Sequence, residues 1–252
     1  MRHYFLLSLV LIWFSCSDTD SGAPAGDTNG SGVGGSLARF TIVGDFLYTL
    51  EPNRLSWFNI ENGNLEYAGE DELFMVMETI FPLGNKLFLG ADSGMSIYLI
   101  GDDGEPSFQS SVNHIRACDP VVANDQYAYV TLRQTDCGGF FVGNNGLEDV
   151  LNIYDVTNIE NPSIIRSYEL SQPRGLGLAG DYLFICEGPE GLRTLDVSDP
   201  RDVQFLAFKQ DIHANDVIVL PDALLVIGPD NITQLDYTDP VNLVEISSIT
   251  IP

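Results

Sequence analysis

The chain has 252 residues, with 36 acidic side chains against 11 basic ones and a formal net charge of −25. So acidic a body repels phosphate backbones and anionic lipid, which excludes nucleic-acid binding and favours cationic partners or divalent ions at long range; the same charge also serves the solubility of a secreted protein. Apolar residues make up 44% of the sequence, enough at this length for one large core.

Arg2 and His3 open a short positive start, and Tyr4 to Phe14 is an apolar run broken by one serine. A run of about eleven residues is too short for a permanent membrane span and has the length of a secretory signal. Ser15-Cys16 resembles a bacterial lipobox, at which the cysteine is lipidated and becomes the mature N-terminus; an ordinary signal peptide with an incidental cysteine is the other reading. Residues 1–15 are thus expected to be a lipoprotein signal peptide, and removing them takes Arg2 and no acid, leaving a net charge of −26.

After Cys16 come Asp18 and Asp20, and then Ser21 to Ser36 is dominated by Gly, Ser, Ala, Asp, Thr and Asn. This composition buries no core and predicts a flexible tether over residues 16–36. Acidic residues directly after the cysteine resemble the export tag that sends some lipoproteins to the outer face of the outer membrane. The expected location is therefore the outer membrane, lipid-anchored and surface-exposed, with the periplasmic face as the alternative. The N-terminal lipid is the only membrane attachment expected.

From Leu37 onward one unit of about forty residues recurs five times. An apolar strand after a tight turn appears at Gly44–Tyr48, Gly84–Phe88, Asn124–Tyr129, Gly180–Phe184 and Pro221–Leu225, with Leu47, Leu87, Ala128, Leu183 and Leu224 at the same place in each. A second strand keeps the same phase in the runs from Leu55, Met95, Leu151, Leu192 and Ile232, with Asn59, Leu99, Asp155, Asp196 and Asp236 at the same place in each. Two landmarks sharing one period define a repeat architecture. The repeats fall at about 37–72, 73–113, 114–172, 173–212 and 213–252.

Each unit holds short runs rich in Val, Ile, Phe, Tyr and Leu, bounded by Gly, Asp, Asn and Pro, which read as strands and turns. The fourth unit predicts strands at Gly175–Leu178, Tyr182–Cys186, Leu192–Asp196 and Val203–Phe208. Four antiparallel strands per unit make a propeller blade, so the fold class is all-β, a five-bladed β-propeller of four-stranded antiparallel blades. Unit one starts on a first strand and unit five ends on a fourth, so every blade is complete within its own repeat. The expectation is a closed five-bladed ring acting as a monomer; an open arc that dimerises is the runner-up. The recurring Asp155-Val-Thr-Asn158, Asp196-Val-Ser-Asp199 and Asp236-Tyr-Thr-Asp239 are expected to cap tight turns rather than to bind metal, because a metal site rarely recurs in blade after blade.

Cys118, Cys137 and Cys186 remain after Cys16, and an odd count in an oxidising compartment predicts one bridge and one spare thiol. Cys118 precedes the first strand of the third repeat and Cys137 follows its second, which predicts a Cys118–Cys137 disulfide contributing about 3 kcal/mol on the chain-entropy model. Cys186 alternates with Tyr182 and Phe184, so it is expected to be a buried, inert thiol. The absence of a Cys-x-x-Cys spacing argues against redox or structural zinc chemistry.

Ala38 to Tyr48, Glu78 to Pro82, Cys118 to Val122, Ala128 to Arg133 and Gly175 to Leu178 together resemble the LVIVD-repeat proteins, bacterial lipoproteins with propeller-like repeats and no settled biochemical activity. The resemblance covers roughly residues 37 to 252 and implies the same fold and address as the residues themselves.

Loops leading into the innermost strands converge on one mouth of a propeller and carry its function. Repeat-equivalent positions there are Arg39, Glu78, Asp119, Arg174 and Asn215 or Asp216, with His114, Arg116 and His213 just upstream. Unlike the turn residues these differ from blade to blade, and most are charged. They suit a glycan, a peptide or a protein ligand, with arginines paired to carboxylates and acids accepting from hydroxyls; a polar rim whose charges satisfy one another is the competing reading. The insert from Gln134 to Val150 carries Phe140 and Phe141 beside glycines, either as a docking tip or packed back onto its blade. No Gly-x-Ser-x-Gly elbow, His-Glu-x-x-His or Walker loop is present, and nothing calls for a cofactor or a metal. The functional expectation is a cell-envelope lipoprotein acting as a non-enzymatic binding or scaffolding propeller. The alternative is a glycan-active hydrolase or lyase using the charged mouth, with an acid pair such as Glu78 and Asp119.

Overall fold

The computed structural model describes residues 34–91, 93–113, 120–133 and 149–251. The expected signal peptide, the Cys16 lipidation site, the tether up to residue 33, the Cys118–Cys137 pair and the insert up to residue 148 lie outside them.

Among the described residues, twenty strands form five separate four-stranded antiparallel sheets, each in sequence order from inside to outside. The first blade is β1 (Phe40–Val43), β2 (Phe46–Glu51), β3 (Arg54–Asn59) and β4 (Glu66–Glu72). The second is β5 (Met77–Leu83), β6 (Lys86–Ala91), β7 (Gly94–Ile100) and β8 (Pro106–Asn113), and the third β9 (Val121–Ala123), β10 (Tyr127–Leu132), β11 (Val150–Asp155) and β12 (Ser163–Glu169). The fourth is β13 (Leu176–Ala179), β14 (Tyr182–Cys186), β15 (Leu192–Asp196) and β16 (Gln204–Lys209). The fifth is β17 (Asp216–Val219), β18 (Leu224–Ile227), β19 (Asn231–Asp236) and β20 (Val244–Thr250). The five-bladed propeller is as expected, and in the fourth blade the two middle strands have the predicted limits while the outer two shift by one residue at each end.

Local chemistry explains the blades. The first hairpin of blades one, two and four turns on Gly44, Gly84 and Gly180, all at φ of 56–58°, where a side chain would be strained. In each blade the third and fourth strands slip register once, at Trp57/Phe58, Ile97/Tyr98, Ile153/Tyr154, Thr194/Leu195 and Gln234/Leu235. Such bulges raise the local twist and curl the outer strand. The recurring aspartates cap the next turn: Asp155, Asp196 and Asp236 accept from the amides of Thr157, Ser198 and Thr238 at 2.8–3.0 Å. Hydrogen bonds from the hydroxyls and then the amides of Thr157 and Ser198 hold Asp155 and Asp196 below the ordinary aspartate range, and those from the amide and then the hydroxyl of Thr238 do the same for Asp236.

The core lies between blades rather than within one. In β6, Leu87 and Leu89 face blade one while Phe88 faces blade three, so a strand buried on both faces reads as a continuous apolar run. Tyr48, Leu55 and Trp57 pack on Ile80, Leu87 and Leu89; Phe88, Met95 and Ile97 pack on Val121, Ala128 and Val130. Tyr129, Leu151 and Ile153 pack on Leu176, Leu183 and Ile185; Phe184, Cys186 and Leu192 pack on Val217, Leu224 and Val226. Cys186 is a free, fully buried thiol whose ionisation burial pushes well up.

The seam between blades five and one differs from these four. Leu87, Ala128, Leu183 and Leu224 are each 0% exposed, yet their counterpart Leu47, on the outward face of blade one, is only half-buried. On blade five, Leu225, Ile227 and Ile232 are half-buried where Phe184, Cys186 and Leu192 of blade four are fully covered. β1 lies beside β5, β5 beside β9, β9 beside β13 and β13 beside β17, but β17 makes no comparable approach to β1. The apolar closure expected of a tight ring is therefore absent among the described residues; blades five and one are joined at the mouth by a polar strap instead.

Candidate functional site at the propeller mouth

The residues leading into the five inner strands and those leaving the second strands meet at one end of the propeller. Across this mouth runs the segment Gly34–Ala38. Ser36 is 1% exposed, and its hydroxyl donates to Asp216 Oδ1 at 3.1 Å while accepting from the Leu176 amide at 2.7 Å. The Leu37 amide donates to Asp216 Oδ2 at 3.3 Å, and the Val217 amide donates to Oδ1 at 2.9 Å. At the other end of the strap the Ala38 carbonyl accepts from the Ile80 amide of blade two at 2.9 Å. A Cβ on Gly35 or on Gly175 would stand 2.1 Å from the Asp216 carboxylate, so the two glycines make the room it occupies. Gly35 and Ser36, expected as the end of the tether, are thus docked on blades four and five.

Arg174 precedes β13 and is held by its backbone on three sides. Its amide donates to the Cys186 carbonyl at 2.7 Å, its carbonyl accepts from Thr131 Oγ1 at 2.8 Å, and the next amide, of Gly175, donates to the Asn215 carbonyl at 3.0 Å. Arg174 Nη1 donates to Asn215 Oδ1 at 2.9 Å, and its buried Nε has no hydrogen-bond partner among the described residues. The guanidinium lies against Gly188, where a Cβ would come within 2.6 Å of Nε; Gly188 also sits at φ 57°.

Glu187 directly follows β14 and is fully buried in a two-pronged pair with Arg193, Nε to Oε1 at 2.7 Å and Nη2 to Oε2 at 2.8 Å. The Arg193 guanidinium stands 4.9 Å from the centre of the Phe208 ring and 5.5 Å from that of Phe205. The loop after Glu187 is tied to the next blade by reciprocal backbone bonds between Gly188 and Ala214 at 2.8 and 2.9 Å.

Between these parts lies a small cleft of about 80 Å³ lined by Leu37, Pro120, Arg133, Pro173, Arg174 and Asn215. Of the residues expected at the mouth, Arg174 lines it, together with Asn215. Arg39 is exposed at the start of blade one, where its carbonyl accepts from Leu50. Glu78 is the half-buried extra residue of a bulge in β5, and His213 is half-buried two residues before Asn215. Asp216, expected to face a ligand, is instead buried beneath the strap, because Ser36 and Leu37 use its oxygens. His114, Arg116 and Asp119 lie outside the described residues. Arg133, just after β10, was not among the expected site residues; an arginine at the end of a second strand is the signal that would have found it. Among the described residues no three potential ligands stand close enough to hold a metal ion.

No protein-family profile matches the sequence, and no curated protein matches it. Among solved structures the chain is similar to the periplasmic gluconolactonase PpgL of Pseudomonas aeruginosa, with 14% identity and a TM-score of 0.62 over 82% of this chain and 68% of that one. It is also similar to a functionally unknown protein from Desulfotomaculum acetoxidans, with 10% identity and a TM-score of 0.59 over 85% of this chain and 67% of that one. A protein from Lactobacillus plantarum matches at 13% identity and a TM-score of 0.59, over 81% and 68% of the two chains. The chain thus spans about two thirds of the length of each. At such identities the likeness establishes a shared propeller fold and nothing about chemistry.

Proposed function

We propose that the chain is a cell-envelope lipoprotein, anchored through Cys16 at the outer membrane, whose propeller binds a ligand at its mouth without transforming it. One observation carries this reading. Asp216 and Glu187 are committed to the fold, while the cleft beside them is lined by two arginines, one asparagine and apolar side chains. Acid–base hydrolysis of a glycoside needs two carboxyls flanking the bond, and among the described residues no carboxyl lines this cleft. Its volume of about 80 Å³ admits the tip of a ligand, whereas sites that enclose a small molecule run from roughly 300 to 1,000 Å³. The resemblance to LVIVD-repeat lipoproteins and the signals of residues 1–20 support the envelope address.

A thermal-shift screen against sugars, peptides and calcium tests the binding reading. Ligand at about 100 times its Kd is expected to stabilise the protein by about 2.7 kcal/mol, and Arg174→Gln to remove the shift. Protease shaving of intact cells tests surface display, where protection of the propeller would point to the periplasmic face.

The second reading is an enzyme acting on a glycan or a sugar lactone, and the likeness to a gluconolactonase fold is the observation on its side. Turnover of a polysaccharide or of glucono-δ-lactone that disappears in Arg174→Gln would establish it in place of the first.

A further inference from the structure

We propose that the cleft at the mouth is a carboxylate subsite, and that its occupant is the C-terminal carboxylate of a peptide ending in an apolar residue. This rests on the binding-module reading and names the chemistry that the module recognises.

Two guanidinium groups share one small cleft in a chain that has only 11 basic residues. Arg174 is charged, yet among the described residues its side chain bonds only to a neutral amide oxygen, and its buried Nε–H finds no acceptor among them. A buried donor left unpaired costs free energy, so its retention points to an acceptor supplied from outside. The planar fork of an arginine matches a carboxylate with two parallel N–H···O bonds. The position of the fork is fixed: backbone bonds to Thr131, Cys186 and Asn215 hold Arg174 between three blades, and Gly188 seats the guanidinium. Asn215 uses its Oδ1 on Arg174, and its Nδ2 has no bond to the described residues, which leaves a further donor at the same place.

The walls choose among carboxylates. Leu37, Pro120 and Pro173 offer carbon to a ligand and no hydroxyl or amide side chain. A sugar acid would leave its ring hydroxyls unpaired against them, whereas an apolar side chain next to a terminal carboxylate loses water favourably there. The volume of about 80 Å³ is that of two to three waters at roughly 30 Å³ each, room for a carboxylate with the remainder of the ligand outside. The acidic body repels polyanions, so a single carboxylate on a neutral or cationic chain is favoured over a polyphosphate or a polyuronate.

The test is an NMR titration of the intact propeller, following the arginine Nε–H signals, with N-acetyl-Ala-Leu as free acid and as amide. The free acid is expected to shift the Arg174 Nε–H signal saturably, with the amide at least about tenfold weaker. Asn215→Asp, which places a carboxylate beside the same guanidinium without removing it, is expected to abolish binding of the acid, and Arg174→Lys to weaken it at least about tenfold. Asn215→Asp keeps the test valid should an Arg174 variant fail to fold. Equal binding of acid and amide, lost in Asn215→Asp, would overturn the carboxylate assignment while leaving the binding module standing. Saturation by glucuronate or inorganic phosphate at lower concentration than by the peptide acid would overturn the peptide. No response to any of these probes, accompanied by lactone turnover, would remove both readings.

Discussion

The Ser36 hydroxyl donates to Asp216 at 3.1 Å across 180 positions of sequence, and through this contact the start of the propeller is fastened to its last blade. The same oxygen accepts the Leu176 amide, so one serine joins the strap to blades four and five at once. Because the described residues form no apolar packing between blades five and one, this polar junction is where the two ends of the propeller meet.

Ser36→Ala is expected to destabilise the protein by about 1–3 kcal/mol, since it leaves the buried Leu176 amide without an acceptor. Urea denaturation measures the change. A loss below about 0.5 kcal/mol, typical of an uninvolved surface site, would mean that the strap contributes little to the fold.

Asp216 gives a pH signature. Burial raises its carboxyl above the ordinary aspartate range, against opposing hydrogen bonds from Val217, Leu37 and Ser36. A raised folded-state pKa means that the folded protein holds this proton longer than the unfolded chain. The contribution is fully present below the unfolded value near 4 and is lost as pH rises through the folded one. Asp216→Asn cannot titrate, so the stability of the variant relative to wild type should climb with pH through that window. Denaturation curves from about pH 4 to about pH 8 measure this difference; a flat result counts against a buried, titrating Asp216.

Arg193→Ala should be costly, about 3–5 kcal/mol, because it strands the fully buried Glu187 carboxylate and removes a guanidinium stacked on Phe208. Replacing both partners, as in the Glu187→Met and Arg193→Met double variant, should recover most of that loss. Calorimetry of the single and double variants decides the matter, and a double variant as unstable as the single would refute it.

The open seam predicts unequal costs for equivalent leucines. Leu87→Ala empties a fully buried site and should cost about 2–5 kcal/mol, whereas Leu47→Ala, at the same repeat position on the half-covered face, should cost at least about 1 kcal/mol less. Equal losses would show that blades five and one bury each other in solution.

What the sequence by itself determined is the part written in contiguous residues. Turn glycines such as Gly44 and Gly180, apolar runs such as Leu87–Leu89, and the Asp196–Asp199 cap recur at one period, and short-range sterics and hydrogen bonds suffice to convert them into strands, hairpins and blades. The burial of Cys186 followed from alternation along one strand. Arg174 was found at the mouth because it occupies a repeat-equivalent position.

Only the tertiary structure decided which charged side chains line the cleft and which are covered. Asp216 and Arg174 have the same standing in the repeat, yet Asp216 is covered because Ser36 arrives from the far end of the chain. Arg133 joins the cleft because the end of β10 is brought beside Pro173 and Asn215. The half-covered state of Leu47 depends on how far blade five reaches, which no local pattern encodes. Periodicity fixes each sheet through neighbours a few residues apart, whereas the mouth and the seam are set by the summed placement of all the blades.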